Sequence, residues 1–186
     1  TVGSFSASDS ASGNIALTNT GAMAVAAGNI NTGGNVTLNN TGAVTEAGTI
    51  TAAGLELLGA GPYTLTANNS VATLAANTTG AINYTNAGAL AVGAVNTTTN
   101  LTTTGGSVTL TTNSGDISLP ASAISAGLGA VTLQASGGSI LDADASAAAN
   151  ITTTGAVTLK ALGAGGSIGT TVTDGGIAIS GSSNLT

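Results

Sequence analysis

A short phrase of alternating apolar residues returns along the whole chain, and this repeat constrains the fold more than any other feature. The phrase is Val, Ile or Leu, then any residue, then Leu or a substitute. It occurs at Ile15 and Leu17, Val36 and Leu38, Leu55 and Leu57, Ile82 and Tyr84, Val108 and Leu110, Val131 and Leu133, Val157 and Leu159, and Ile177 and Ile179. The first residues are 21, 19, 27, 26, 23, 26 and 20 positions apart. Periods of about 20 to 50 residues are typical of solenoids.

The alternation inside each phrase predicts a β-strand with one apolar face, because residues i and i+2 of a strand point to the same side. The paired apolar residues would therefore fill an interior, and the residue between them would face water. If each phrase is one coil, the middle residues form a single outward ladder of Ala16, Thr37, Glu56, Asn83, Thr109, Thr132, Thr158 and Ala178. The segments between phrases are rich in Gly and Asn, as in Asn40-Thr41-Gly42. We expect tight corners there, with the positive φ that these residues tolerate.

The sequence therefore predicts an all-β fold, a single-stranded right-handed parallel β-helix (β-solenoid) of about eight coils of 19–27 residues. We expect residues 1–186 to form a single solenoid segment, as part of a longer repetitive protein or as a stacking unit. No capping element is evident before Ile15 or after Ile179, and open sheet edges pair readily. The predicted partners are neighbouring coils or further copies of the chain, joined end to end.

The composition argues against several classes of function. Lys160 is the only cation and the net charge is −6, whereas phosphate binding needs clustered cations, so no nucleic-acid partner is predicted. The chain has no Cys, which excludes disulfides and thiolate metal sites. No window reaches the ~20 mainly apolar residues of a membrane helix, so we expect no membrane insertion.

The acidic residues offer little catalytic chemistry. The chain has no His and no Arg, so the common proton shuttles and anion clamps are missing, and we predict neither an enzyme nor a cofactor. Asp142 and Asp144 form the only close carboxylate pair and are a weak candidate for a metal site, with a solvated loop as the favoured interpretation. Because parallel β-helices include enzymes that cleave polysaccharides, a carbohydrate-active enzyme is a distant alternative.

Runs of threonine at Thr97–Thr99, Thr102–Thr104 and Thr152–Thr154 raise a further possibility, ice binding by a flat threonine array. Such a surface needs the same threonines on every coil of one face. The outward ladder is broken by Ala16, Glu56, Asn83 and Ala178. The sequence therefore favours ordinary solvated strand edges.

From Gly13 to Ser180, the Val-Thr-Leu phrases, the Asn-Thr-Gly corners and the scarcity of charged and aromatic residues resemble the β-helical repeats of filamentous-haemagglutinin-like exoproteins. These are bacterial proteins of the two-partner secretion and autotransporter passenger type. The resemblance implies a secreted or cell-surface location and a role as the structural shaft of an adhesin or extracellular fibre. A host-surface or matrix receptor is then a candidate partner. The alternative is a self-assembling subunit of an extracellular homopolymeric filament.

Overall fold

The chain folds into a right-handed parallel β-solenoid of about seven turns. The computed structural model describes residues 1–144, 146–169, 176–181 and 184, and this part of the chain contains no helix. The predicted fold class is confirmed, and the number of turns is close to the eight coils that the sequence indicates.

The strands are short and follow one another at close intervals. Their bounds are β1 Ser4–Ser8, β2 Ile15–Asn19, β3 Met23–Asn31, β4 Asn35–Asn40, β5 Val44–Glu46, β6 Ile50–Gly59, β7 Tyr63–Thr78, β8 Ile82–Asn86, β9 Leu90–Val92, β10 Leu101–Thr103, β11 Val108–Thr112, β12 Ile117–Leu119, β13 Ile124–Gly127, β14 Val131–Ala135, β15 Ile140–Asp142, β16 Ile151–Thr153, β17 Val157–Ala161 and β18 Ile179–Ser180. Each of these strands pairs in parallel with strands from the turns next to it.

The strands stack into three walls around one interior. Wall 1 contains β2, β4, the ends of β6 and β7, then β10, β13, β16 and β18. Wall 2 contains the starts of β1 and β3, then β5, the start of β7, β8, β11, β14 and β17. Wall 3 contains the ends of β1 and β3, the start of β6, the middle of β7, β9, β12 and β15. The long strands β6 and β7 bend around corners and belong to more than one wall.

The predicted single ladder is wrong, because the recurring phrase changes walls. Ile15, Val36 and Leu55 stack on wall 1, and the column continues to Leu74. The next phrase, at Ile82, lies on wall 2 and starts a column through Val108, Val131 and Val157. Ile179 pairs with Ile151 back on wall 1. The gap of 27 residues between Leu55 and Ile82 is therefore not one turn. Apolar and polar residues alternate in the same way on every wall, so the alternation does not indicate to which wall a strand belongs.

The interior is a column of aliphatic side chains. Of the predicted core residues, Val36, Leu38, Leu55, Leu57, Ile82, Tyr84, Val108, Leu110, Val131, Leu133 and Val157 are buried, and Ile15, Leu17, Leu159, Ile177 and Ile179 are partly buried against them. The partly buried residues lie in the first and last described turns, where a neighbouring turn covers only one side. Full burial of each aliphatic side chain contributes about 1.5–3 kcal/mol, so stacked turns stabilise one another.

Buried polar side chains close the corners. Asn40 Nδ2 donates to the carbonyl oxygens of Gly42 at 2.5 Å and Gly21 at 2.9 Å, which joins two turns. Thr112 Oγ1 donates to Gly115 O at 2.9 Å within a single corner. Both residues lie at the ends of strands and point inward. Their side chains therefore donate hydrogen bonds to backbone carbonyl groups that the bend prevents from pairing within the sheet.

Close stacking, rather than positive φ, explains many corner glycines. Positive φ occurs at Gly105 and Gly115, but not at Gly42 or Gly106. A Cβ on Gly42 would lie 2.5 Å from the carbonyl carbon of Gly21, and one on Gly106 would lie 2.4 Å from that of Gly80. The expectation of positive φ is therefore wrong at these corners, where the backbone of the preceding turn leaves no room for a side chain.

Candidate functional sites on the solenoid walls

A covered carboxylate lies on the outside of wall 1. Glu56 takes an outward position in β6, yet its side chain is only 3% exposed. It is covered by residues 93–100, the loop between β9 and β10, which we call the wall 1 flap. Val95 and Thr98 of the flap form an antiparallel bridge, with N–O distances of 2.9 and 3.1 Å. The side chain of Val95 presses on Gly54, where a Cβ would lie 2.9 Å from Val95 Cγ1.

The carboxylate of Glu56 connects the flap to two turns. Its Oε2 accepts hydrogen bonds from Thr37 Oγ1 at 2.7 Å and from Asn96 Nδ2 at 2.9 Å. Asn96 Oδ1 in turn accepts a bond from Asn35 Nδ2 at 2.9 Å. Every one of these partners is a neutral donor, so the charge of Glu56 is solvated by amide and hydroxyl groups of distant parts of the chain.

This environment favours the ionised form of Glu56. Burial by itself would raise the pKa of the carboxyl group, but hydrogen bonds from Asn96, Thr98 and Thr37 outweigh burial and hold the pKa below its ordinary value. A covered carboxylate with a lowered pKa is poorly suited to proton transfer. The cluster acts as a clasp that fastens the flap to the wall.

A second carboxylate has the opposite character. Glu46 Oε2 accepts bonds from Ala67 N at 2.6 Å and Asn69 Nδ2 at 3.3 Å, while its Oε1 is buried without a hydrogen-bond partner. Burial raises the pKa of Glu46 more than these bonds lower it. A raised pKa is a feature of some active sites. Here, however, the hydrogen bonds of the carboxylate hold a backbone bend, and no second acid or base is among its partners.

The candidate metal ligands Asp142 and Asp144 are occupied by loop hydrogen bonds. Asp142 is buried, and its Oδ1 accepts from Asn150 Nδ2 at 3.1 Å and from Asp144 N at 3.3 Å. Asp144 accepts from Ser146 N at 2.7 Å and also from Ala121 N. Within the described residues, no group of three or more acidic, His or Cys side chains is placed to hold a metal ion. Another acid, Asp174, lies outside the described residues.

An open cavity of about 400 Å³ lies at a wall 1 corner. It is lined by residues 102–105 together with Ser125, Gly127 and Leu128, and Leu128 is 80% exposed. Its lining has hydroxyl groups and an apolar side chain but no titratable group. The cavity offers contact surface rather than catalytic chemistry.

No family model, curated protein or solved structure matches this chain. Among the described residues, no helix is long and apolar enough to cross a membrane. Function must therefore be inferred from the geometry of the walls.

The sequence pattern did not reveal that wall 2 carries an outward file of threonines. The residues Ala24, Thr45, Thr64, Asn83, Thr109, Thr132 and Thr158 occupy successive outward positions there. Thr45 and Thr64 directly follow the paired residues Val44 and Tyr63. The spacing from Val44 to Tyr63 to Ile82, 19 residues in each step, was the signal in the sequence that could have separated this file from wall 1.

Proposed function

We propose that this chain is a segment of the structural shaft of a secreted or surface-displayed bacterial adhesin or extracellular fibre. The observation that carries the proposal is the continuous parallel pairing of turns around an aliphatic interior. Such a stack is an extended object whose length grows with the number of turns. At a spacing of about 4.8 Å, seven turns give a rod roughly 34 Å long.

The surface chemistry supports this role. Thr, Asn, Ser and Gly dominate the outside, and charged residues make up 4% of the chain. The polar clusters on the walls, at Glu56 and Glu46, fasten loops and bends and have no adjacent acid, base or cation among their hydrogen-bond partners. The proposal therefore includes no catalytic role. The resemblance to filamentous-haemagglutinin-like exoproteins supports the extracellular location.

The alternative is a subunit that polymerises end to end. In the described part of the chain, β2 pairs with β4 alone at one end, and β17 pairs with β14 alone at the other. β2 therefore presents backbone groups that another copy can pair with, whereas the edge of β17 is already partly covered, because Val157 N donates to Asn184 O at 2.8 Å. The partly buried Leu17 and Leu159 lie beside these edges and would gain full burial in such a junction.

Negative-stain electron microscopy and sedimentation velocity on the purified 186-residue chain separate the two possibilities. A shaft segment is expected to give short rods whose sedimentation coefficient does not depend on concentration. Long fibres of constant width would favour the homopolymer. A circular dichroism spectrum without β-sheet would contradict both.

The carbohydrate-active alternative is tested by incubating the chain with a panel of acidic and neutral polysaccharides. We expect no cleavage, because Asp142 is 5% exposed and is bonded to Asn150. Cleavage that disappears in the Asp142→Ala variant, while Asp116→Ala retains it, would instead identify an enzyme.

A further inference from the structure

The threonine file of wall 2 is more regular than the ladder that the sequence predicted. The interruptions Ala16 and Glu56 belong to wall 1, where they pair beside Thr37. On wall 2 the file from Thr45 to Thr158 is interrupted only by Asn83, which is itself polar and uncharged. Two of the four residues that argued against a flat threonine array, Ala16 and Glu56, therefore lie on another wall, whereas Asn83 remains within the wall 2 file.

Four hydroxyl groups of this file are available to an outside partner. Among the described residues, the side chains of Thr45, Thr64, Thr109 and Thr132 have no hydrogen-bond partner. On wall 1, by contrast, Thr37 donates to Glu56 at 2.7 Å. Water or another hydroxyl-rich partner must satisfy the wall 2 groups.

The spacing of the hydroxyls is fixed by the fold. Successive turns place file members about 4.8 Å apart, and residues i and i+2 of a strand are about 6.7 Å apart. A second file therefore runs beside the first, through Thr85, Thr111, Gln134 and Lys160. The result is a nearly rectangular net in which Thr109 and Thr111 form a threonine pair in β11, while the second file continues to Gln134 and ends at the charged Lys160. Its repeats are close to the distances between oxygen atoms on faces of hexagonal ice.

We propose that wall 2 binds ice, by matching its net of threonine hydroxyls and methyl groups to the water lattice of an ice surface. The first file is uncharged, which favours this partner, because an ion orders water around itself rather than in a lattice. The strands are held on both sides by neighbouring turns, so little conformational entropy is lost when water is ordered on them.

The lack of exposed aromatic side chains among the described residues of wall 2 favours ice over a polysaccharide as the partner of this surface. Sugar rings are commonly bound by stacking on exposed aromatic side chains. On wall 2, Tyr63 and Tyr84 point inward and are at most 1% exposed. Phe5, the remaining aromatic residue of the chain, is partly buried against the core. The surface therefore offers hydroxyls and methyls without a stacking platform.

The test is partition of the full chain into slowly growing polycrystalline ice, compared with the Thr109→Lys and Thr152→Lys variants. Thr152 takes an exposed outward position on wall 1, so its variant has the same charge change away from the file. We expect the unmodified chain and Thr152→Lys to enter the ice. Thr109→Lys should fall to the level of a protein that does not bind ice, because it places an ammonium group in the centre of the uncharged first file, whereas the native Lys160 lies at the end of the second file.

Circular dichroism melts establish that each variant is folded, and Thr132→Lys replaces Thr109→Lys if the latter does not fold. Exclusion of the unmodified chain from ice would overturn the proposal, as would equal retention of the wall 1 and wall 2 variants. Binding of the unmodified chain to an insoluble neutral polysaccharide but not to ice would reassign the surface. A short rod and a long fibre both display wall 2, so the result does not depend on whether copies join.

Discussion

Asn96 Nδ2 lies 2.9 Å from Glu56 Oε2, although the two residues are 40 positions apart in the chain. The bond fastens the wall 1 flap to a strand that precedes it by two turns. Neighbouring turns of a solenoid stabilise one another in sequence, whereas this contact joins turns that are not consecutive. The flap therefore adds a longer-range constraint to an otherwise one-dimensional stack.

Because Glu56 fastens the flap to wall 1, we expect the Glu56→Ala substitution to destabilise the folded chain. Removing the carboxylate takes away hydrogen bonds to a charged group, each of which contributes about 1.5–3 kcal/mol. We expect the free energy of unfolding to fall by an amount of this order at pH 7, and the amides of residues 93–100 to exchange hydrogen faster. Unchanged exchange in the flap would show that Glu56 does not hold it.

The lowered pKa of Glu56 predicts a dependence on acid. Because the pKa is lower in the folded than in the unfolded chain, the stabilisation is present above the unfolded value and is lost as the pH falls through the folded value. Glu56→Gln should therefore reduce the loss of stability on acidification below the ordinary pKa of 4.5. Chemical denaturation of both proteins across this range measures the difference.

Glu46→Gln is expected to act in the opposite direction. The pKa of Glu46 is raised by burial, so its contribution to stability is fully present below the unfolded pKa and is lost as the pH rises through the folded pKa. Replacing the ionised group by a neutral amide should raise the melting temperature at pH 7 and change it little in acid. A lower melting temperature at pH 7 would show that the charge is needed for the bond to Ala67 N.

The interior predicts a large cost for Leu110→Ala. Leu110 is fully buried and stacks between Tyr84 and Leu133. Leucine-to-alanine substitutions in packed cores cost about 2–5 kcal/mol. Leu128→Ala is the matched control, because Leu128 is 80% exposed and should cost less than about 0.5 kcal/mol. Urea unfolding of both variants provides the comparison, and equal costs would contradict the assignment of the interior.

Close stacking at the corners predicts that Gly106→Ala destabilises the chain. The new Cβ would lie 2.4 Å from the backbone of Gly80, so neighbouring turns would have to separate. Gly88→Ala is the control, because a Cβ at Gly88 has no atom within 4 Å and its φ is not positive. Thermal melts should show a large decrease for the first variant and little change for the second. The same decrease in both would point to a general glycine effect.

The sequence by itself determined the repeat, the alternation and the neutral surface, because these depend on spacing and composition alone. From Val108-Thr109-Leu110 it follows that Val and Leu share one side of a strand. The positions of Gly and Asn in the sequence also indicated where the corners between strands lie. The fold class and the inward position of the predicted core residues were accessible at this level.

Only the tertiary structure decided which phrases stack. Leu55 and Ile82 look equivalent in the sequence, yet they lie on different walls, because turn length varies and the same alternation serves every wall. The covering of Glu56 depends on a loop 40 residues away, and no local pattern encodes a contact at that distance. The file of threonines on wall 2 likewise exists only in three dimensions, since the register between turns sets which hydroxyl groups lie side by side.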